Sequence, residues 1–431
     1  MTSRDPLKGL SRRQFGLLGA SGLLLPRRLL AAPSGSSQRF LFIHCSGGWD
    51  PSFVFTPLQD SPDVDTEADA VESEEGGIPF VDSEARPSVR AFLERYADRC
   101  CLVNGMEVRS ITHERCRQIS LTGTGSNGDD WPTLLAAHVE TPLALPHLVV
   151  AGHAYSELFG DRVVRMGDEN QLLELLDGTA VEGLSPTVSL PTPTVDSLED
   201  AWMQERMAEL KSAAPNGHHK ELVERYQAVL DQHELLQAMI GDLDLSVTDQ
   251  GCERDIAADC ALAFDCFEMD LSRCAMLRSE GWCSEGWDTH QDIDAQSLNF
   301  EELFAYLLQA MEDLDTRTAP SGEPLAESLT IVLFSEMGRS PQLNVQGGKD
   351  HWTFTSALLI GAGIQGGQVV GGVDDQSRGL NIDLATGETT DSGVPLLADH
   401  LGATLLQLGG LDPEEFLTGI DPIAAALKGG R

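Results

Sequence analysis

The chain has 431 residues, 41% of them hydrophobic, enough to bury the core of one large α/β domain or of a core with an inserted cap, so wholesale disorder is excluded. Its 68 acidic residues against 29 lysines and arginines give a formal net charge of −39, which repels phosphate backbones and argues against nucleic acid as a partner. The same field suits a solvated surface or the capture of divalent cations.

The first segment reads as a targeting signal. Ser11-Arg12-Arg13-Gln14-Phe15 opens a short apolar run to Leu25, followed by the small pair Ala31-Ala32. An arginine pair, an apolar stretch too short for a bilayer and a small-residue exit predict a twin-arginine signal peptide over residues 1–32. Such a signal implies the twin-arginine translocase as a partner and the periplasm or cell exterior as the destination. Pro26-Arg27-Arg28 interrupts the exit, and a Sec signal or a retained anchor is the alternative.

After the signal, Gln38 to Cys45 is a continuous apolar run, read as a buried strand, and Ser46-Gly47-Gly48-Trp49-Asp50 forms the loop beyond it. Residues 58–86, rich in Asp, Glu, Pro and Gly, read as a surface insertion. A helix is predicted over 87–98, a strand from Cys100 to Val103, helices from His113 to Leu121 and over 132–140, and a strand from His147 to Ala151. Residues 184–197 read as a Pro/Thr linker and 198–280 as almost wholly helical. The second half resumes with a helix over 299–316, strands from Leu329 to Phe334 and Ser356 to Gly361, and a helix from Leu396 to Leu408. Elements that alternate on both sides of an insertion predict an α/β fold with a mostly parallel sheet and helices on both faces. The expected divisions are 38–183 and 286–431 for the two parts of the core, with 184–285 as linker and helical insertion.

The nine cysteines include no CxxC pair, which argues against a zinc ribbon. Cys252, Cys260, Cys266, Cys274 and Cys283 crowd together, and an oxidising compartment would permit one or two disulfides among them.

Four clusters at strand ends or loops carry candidate chemistry. Asp50 follows the first strand as a ligand or base, or as a plain turn cap. Asp288 and His290, in Gly-Trp-Asp-Thr-His, share a side if the segment is extended, as two ligands of one cation would. Glu336 directly follows the strongest strand, and Arg339 would pair with it or fork onto an anion. Lys349, Asp350 and His351 lie in a glycine-rich loop. Asp and His recurring at three such places point to a metal site. His44, His218, His219 and His233 read as core or solvated residues, and Asp399 as an N-terminal cap or a first-turn acid.

These motifs together, with the twin-arginine signal and the segment from Gly361 to Asp374, resemble the bacterial family catalogued as domain of unknown function 1501. That resemblance implies an alkaline phosphatase-like fold, in the group that includes the sulfatases. Thr330 to Gly338 is similar to the sulfatase strand that ends in Asp-Asn-Gly, with Glu336 at the acidic ligand position. Asp50, the pair Asp288 and His290, and His351 would then complete a site for one or two divalent ions (zinc, manganese or calcium). Thr112 or His113 stands where a sulfatase carries its nucleophile, and the paired Asp-Asp of the first strand is missing.

The expected function is an exported metal-dependent hydrolase of a phosphate or sulfate ester, with Arg339 or Lys349 steadying the anionic group. The alternative is a non-catalytic sulfatase-like envelope protein that binds a partner or glycan. Composition alone supports a third, an acidic calcium-binding envelope protein, although no EF-hand spacing occurs.

Overall fold

The computed structural model describes residues 38–429 except 126–127, 140–142, most of 167–192, scattered positions over 214–253, and 283–285. The signal segment, the linker over 184–192, Cys252, Cys283, His218, His233 and the centre of the middle helical stretch, including all of 237–253, therefore lie outside the described residues.

The strands are β1 (Arg39–Cys45), β2 (Val71–Glu75), β3 (Ile78–Asp82), β4 (Cys100–Glu107), β5 (His147–Val149), β6 (Val163–Arg165), β7 (Cys274–Ser279), β8 (Leu329–Ser335), β9 (Gly338–Leu343), β10 (Lys349–Trp352), β11 (Phe354–Gly361) and β12 (Gln368–Gly371). The helices are α1 (Pro87–Tyr96), α2 (His113–Thr122), α3 (Trp131–Ala137), α4 (Pro193–Ala213), α5 (Ile256–Glu268), α6 (Ala295–Leu314) and α7 (Ala398–Leu408).

Eight strands form one sheet in the order β12-β4-β11-β8-β1-β7-β5-β6. All neighbours run parallel except β11, which is antiparallel to both β4 and β8. The pleat of β1 divides its apolar run between two cores. Leu41, Ile43 and Cys45 pack with residues of α1, α5 and α6, whereas Phe40 and Phe42 pack with residues of α2, α3 and α7. Helices thus cover both faces, as a continuous apolar strand demands. This is the mostly parallel α/β sheet that the sequence predicts.

Three expectations fail in detail. The acidic segment 58–86 contains a β2–β3 hairpin, with Gly76 and Gly77 at positive φ in its two-residue turn. Its inner residues Ile78, Phe80 and Val81 are buried, so the segment is partly core. The stretch read as helical up to 280 ends instead in β7, which pairs in parallel with β1. Cys-Ala-Met-Leu-Arg-Ser is too short a run for periodicity to separate strand from helix. Pro193 to Ser197, expected in the linker, begins α4.

Cys260, Cys266 and Cys274 are free and buried, as are Cys45, Cys100, Cys101 and Cys116. Among the described residues, no helix is long and apolar enough to cross a membrane.

Candidate metal centre

Parallel strands deliver their following loops to one end of a sheet. Here the loops after β1, β7 and β8 meet the N-terminus of α2 and the β9–β10 hairpin. Gly47 makes the approach feasible: it sits at φ +135°, and a Cβ there would stand 2.8 Å from the Asp288 nitrogen.

Glu336, immediately after β8, is fully buried. Its carboxylate accepts from the Gly47 amide at 3.0 Å and lies 2.9 Å from both His44 Nε2 and His113 Nδ1. Burial would raise its pKa, but the two imidazoles outweigh that effect and hold it well below the usual carboxylate range. His113, the first residue of α2, is also 3.3 Å from Asp288 Oδ2 through Nε2. Hydrogen bonds to Asp288 and then to Glu336 lift its pKa to about 9.

Asp288 is the hub. Its Oδ1 accepts from Arg339 Nη2 at 2.6 Å and lies 3.2 Å from His351 Nε2 and 3.3 Å from His290 Nε2. Burial opposes ionisation, yet His113, His351 and Arg339 keep the group far below its ordinary pKa. His351 donates from Nδ1 to the Ile111 carbonyl at 2.7 Å. His290 lies 3.3 Å from Asp350 through Nδ1 and 2.8 Å from His351 through Nε2.

His113, Asp288 and His351 each offer one donor atom, all within 4.8 Å of one another. Each imidazole is anchored through Nδ1, one by a carboxylate and one by a carbonyl, and presents Nε2 to the shared carboxylate. That is how metal-binding histidines are oriented from behind, so the residues fit a bound cation.

The other sequence candidates stand elsewhere. Asp50 is buried, with Oδ2 accepting from Lys349 Nζ at 2.7 Å and Oδ1 accepting from Ser52 N and Oγ. Both oxygens are committed, so it does not join the cluster, and Lys349 is spent on Asp50 and Ser52 rather than facing an anion. Arg339 is fully buried and donates to the carbonyls of Gly47, Gly48, Trp287 and Lys349 besides Asp288. It clamps the loops together. Thr112 is exposed at the N-cap of α2, with its hydroxyl 3.4 Å from Ser110 Oγ, and among the described residues no base touches it. Asp399 lies in the first turn of α7 as expected, paired with Arg109 at 2.6 Å.

A basic group beside the cluster was missed. Arg117 lies one turn after His113 on the same helix face, with Nη1 2.9 Å from His153 Nδ1. Arg165 donates to the carbonyls of Gly152 and Ala154, and a Cβ on Gly152 would meet that of Arg278 at 3.3 Å. Burial first, then Arg117, His44, Arg278 and Arg165, push the His153 pKa down to about 4. The Nε atoms of Arg117 and Arg278 are buried without a partner. The available signals were the i, i+4 spacing of His113 and Arg117 and the polar His44 inside an apolar strand.

The family described as protein of unknown function, DUF1501, matches residues 37–421. The chain belongs to this family. A comparison with curated proteins found no match. Among solved structures, the chain is similar to Ps i-CgsB in complex with k-i-k-neocarrahexaose, with a TM-score of 0.40, 10% identity, and coverage of 89% of this chain and 75% of that one. It is also similar to a putative sulfatase from Bacteroides thetaiotaomicron, with a TM-score of 0.35, 12% identity, and coverage of 90% and 74%. A third is the soluble domain of lipooligosaccharide phosphoethanolamine transferase A from Neisseria meningitidis, with a TM-score of 0.37, 11% identity, and coverage of 88% and 90%.

Proposed function

We propose that the protein is a metal-dependent hydrolase of a phosphate or sulfate ester, exported by way of the twin-arginine signal in residues 1–32. The observation that carries this reading is the pair of back-anchored imidazoles, His113 and His351, facing one carboxylate, Asp288. These three would hold the cation, with His290 at the edge of the set. Two imidazoles and a carboxylate suit zinc or manganese, whereas calcium prefers an all-oxygen shell. A cation bound there supplies Lewis acidity toward an ester oxygen.

The protein groups divide the remaining work. Glu336, held by His44 and the Gly47 amide, fixes the ring of His113. His290, backed by Asp350 on Nδ1, has Nε2 directed at the cluster, where it can give or take a proton. The anionic group of the ester falls to Arg117 and Arg278, whose pairs with the exposed Glu114 and Glu280 hold them less firmly than the buried contacts of Arg339 and Lys349, since guanidiniums grip tetrahedral oxyanions in a fork.

The test is elemental analysis of the folded mature protein, followed by a screen of phosphate and sulfate esters. About one equivalent of zinc or manganese, with turnover lost in Asp288→Asn and weakened in Arg117→Gln, supports the reading. No bound metal after supplementation removes it. One observation favours the second reading, a non-catalytic binding protein: Thr112 is exposed and, among the described residues, no base touches it. Metal binding with no turnover of any ester, but retention on a sulfated glycan column, would select that reading.

A further inference from the structure

His351 turns Nε2 toward the cluster because Nδ1 is engaged by the Ile111 carbonyl. A ring that donates from Nδ1 carries its proton there and keeps the Nε2 lone pair for a cation. Ile111 is itself 56% exposed, so burial of its side chain does little to hold that carbonyl in place. The restraint comes from the start of the same loop. The Val108 amide donates to the Thr353 carbonyl at 2.8 Å, and the next residue, Arg109, takes φ +54°. A left-handed conformation is unfavourable for a residue with a Cβ, so something must hold it.

The Arg109 side chain supplies that hold. Its Nη2 donates to Asp399 Oδ1 at 2.6 Å and to the Gly123 carbonyl at 3.1 Å. It therefore ties the loop to the first turn of α7 and to the C-cap of α2. The short stretch between Arg109 and His113 serves two rings at once: it ends in one imidazole of the cluster and carries the carbonyl that orients the other.

We propose that Arg109 and Asp399 form a positioning strut, which holds the Ile111 carbonyl where it fixes the tautomer and direction of His351 and so sets the affinity of the centre for its cation. This rests on the metal reading of the site. Arg109 is a positioning residue, since it acts through Ile111 and His351. The Arg109 side chain is 40% exposed, whereas that of Asp399 is 9% exposed and buried in the fold, so a urea unfolding midpoint taken for each variant separates a local loss from a global one.

The experiment combines two further readouts on the full mature chain and its Arg109→Gln, Arg109→Lys and Asp399→Asn variants. Long-range nitrogen–proton NMR reports the His351 tautomer in chelated protein, and competition with a chromophoric chelator reports the zinc dissociation constant. The wild type should show His351 protonated on Nδ1. Arg109→Gln and Asp399→Asn should each give mixed tautomers and a zinc affinity about 10- to 100-fold weaker, and Arg109→Lys should restore part of both. An unchanged His351 tautomer in both disruptive variants would overturn the strut, whatever zinc does. A wild type that takes no zinc would remove the metal reading, and with it the role in affinity. A tautomer still responsive to Arg109 would then separate that failure from a failure of the strut.

Discussion

The Nε2 atoms of His113 and His351 stand on opposite oxygens of a single carboxylate, 3.3 Å from Asp288 Oδ2 and 3.2 Å from Asp288 Oδ1. Their rings lie 4.4 Å apart at an interplanar angle of 79°, so neither blocks the other's approach. Asp288→Asn keeps an acceptor for Arg339 but removes the charge that draws a cation between the rings. Bound zinc or manganese should fall from about one equivalent to none after dialysis, with the far-ultraviolet circular dichroism unchanged. A variant that retains full stoichiometry would show that the cation, if any, sits elsewhere.

Protons should compete with the metal. Without a cation, His113 remains protonated below about pH 9, held so by Asp288 and Glu336. A ligand imidazole must shed that proton, so loading at pH 7 should release about one proton per cation. The apparent affinity should rise with pH, by up to about tenfold per unit, and level off above pH 9. Calorimetry in two buffers of different ionisation enthalpy counts the protons. A count of zero at pH 7 would mean that His113 is not a ligand.

Much of this site was legible because its residues follow apolar runs or sit among glycines. Glu336 directly follows the clearest strand, Asp288 and His290 stand two apart in a short glycine-led turn, and His351 follows a glycine pair onto β10. What could not be read was pairing. Asp50 looks like a ligand until Lys349, 299 positions away, is found against it. Arg339 looks like an anion fork, but loops that converge leave carbonyls unpaired, and its donors satisfy four of them. His44 was hidden because a lone histidine in an apolar strand is usually core, and only the position of Glu336 gives it a task. The fold suffered the same loss at β7, whose six residues carry no period that separates strand from helix.

The Asp50–Lys349 pair leads to a stability prediction. Both side chains are almost wholly buried, at 2% and 1% exposure, and the pair joins the loop after β1 to β10. Removing one partner strands the other charge, so Lys349→Met should cost about 3–5 kcal/mol in urea unfolding. The double variant Asp50→Asn, Lys349→Met should recover part of that loss, because neither charge is then buried alone. Metal content should be the same in all folded forms. A Lys349→Met protein of unchanged stability but depleted metal would return the pair to the binding site.

His147 tests the sheet where α3 covers it. It is fully buried in β5, with Nδ1 3.0 Å from Thr133 Oγ1 and Nε2 without a partner. Burial, and to a lesser degree Arg165, depress its pKa to about 3, against about 6.5 in the unfolded chain. The unfolded state therefore binds the extra proton between those values. The contribution of a neutral His147 is full above pH 6.5 and is lost as the pH falls toward 3. Asp130, 3.9 Å away and raised to about 6 by burial, acts in the opposite sense: its contribution is present below the unfolded value and lost as the pH rises through 6. A wild type compared with His147→Gln removes most of the Asp130 effect, since both proteins contain it. Whatever the variant costs at pH 7.5, the gap between the two should narrow by about 1.4 kcal/mol per pH unit below 6.5. Urea titrations at pH 7.5, 6, 5 and 4 measure that gap directly, and a gap that stays constant would mean that His147 holds its proton in the folded protein too.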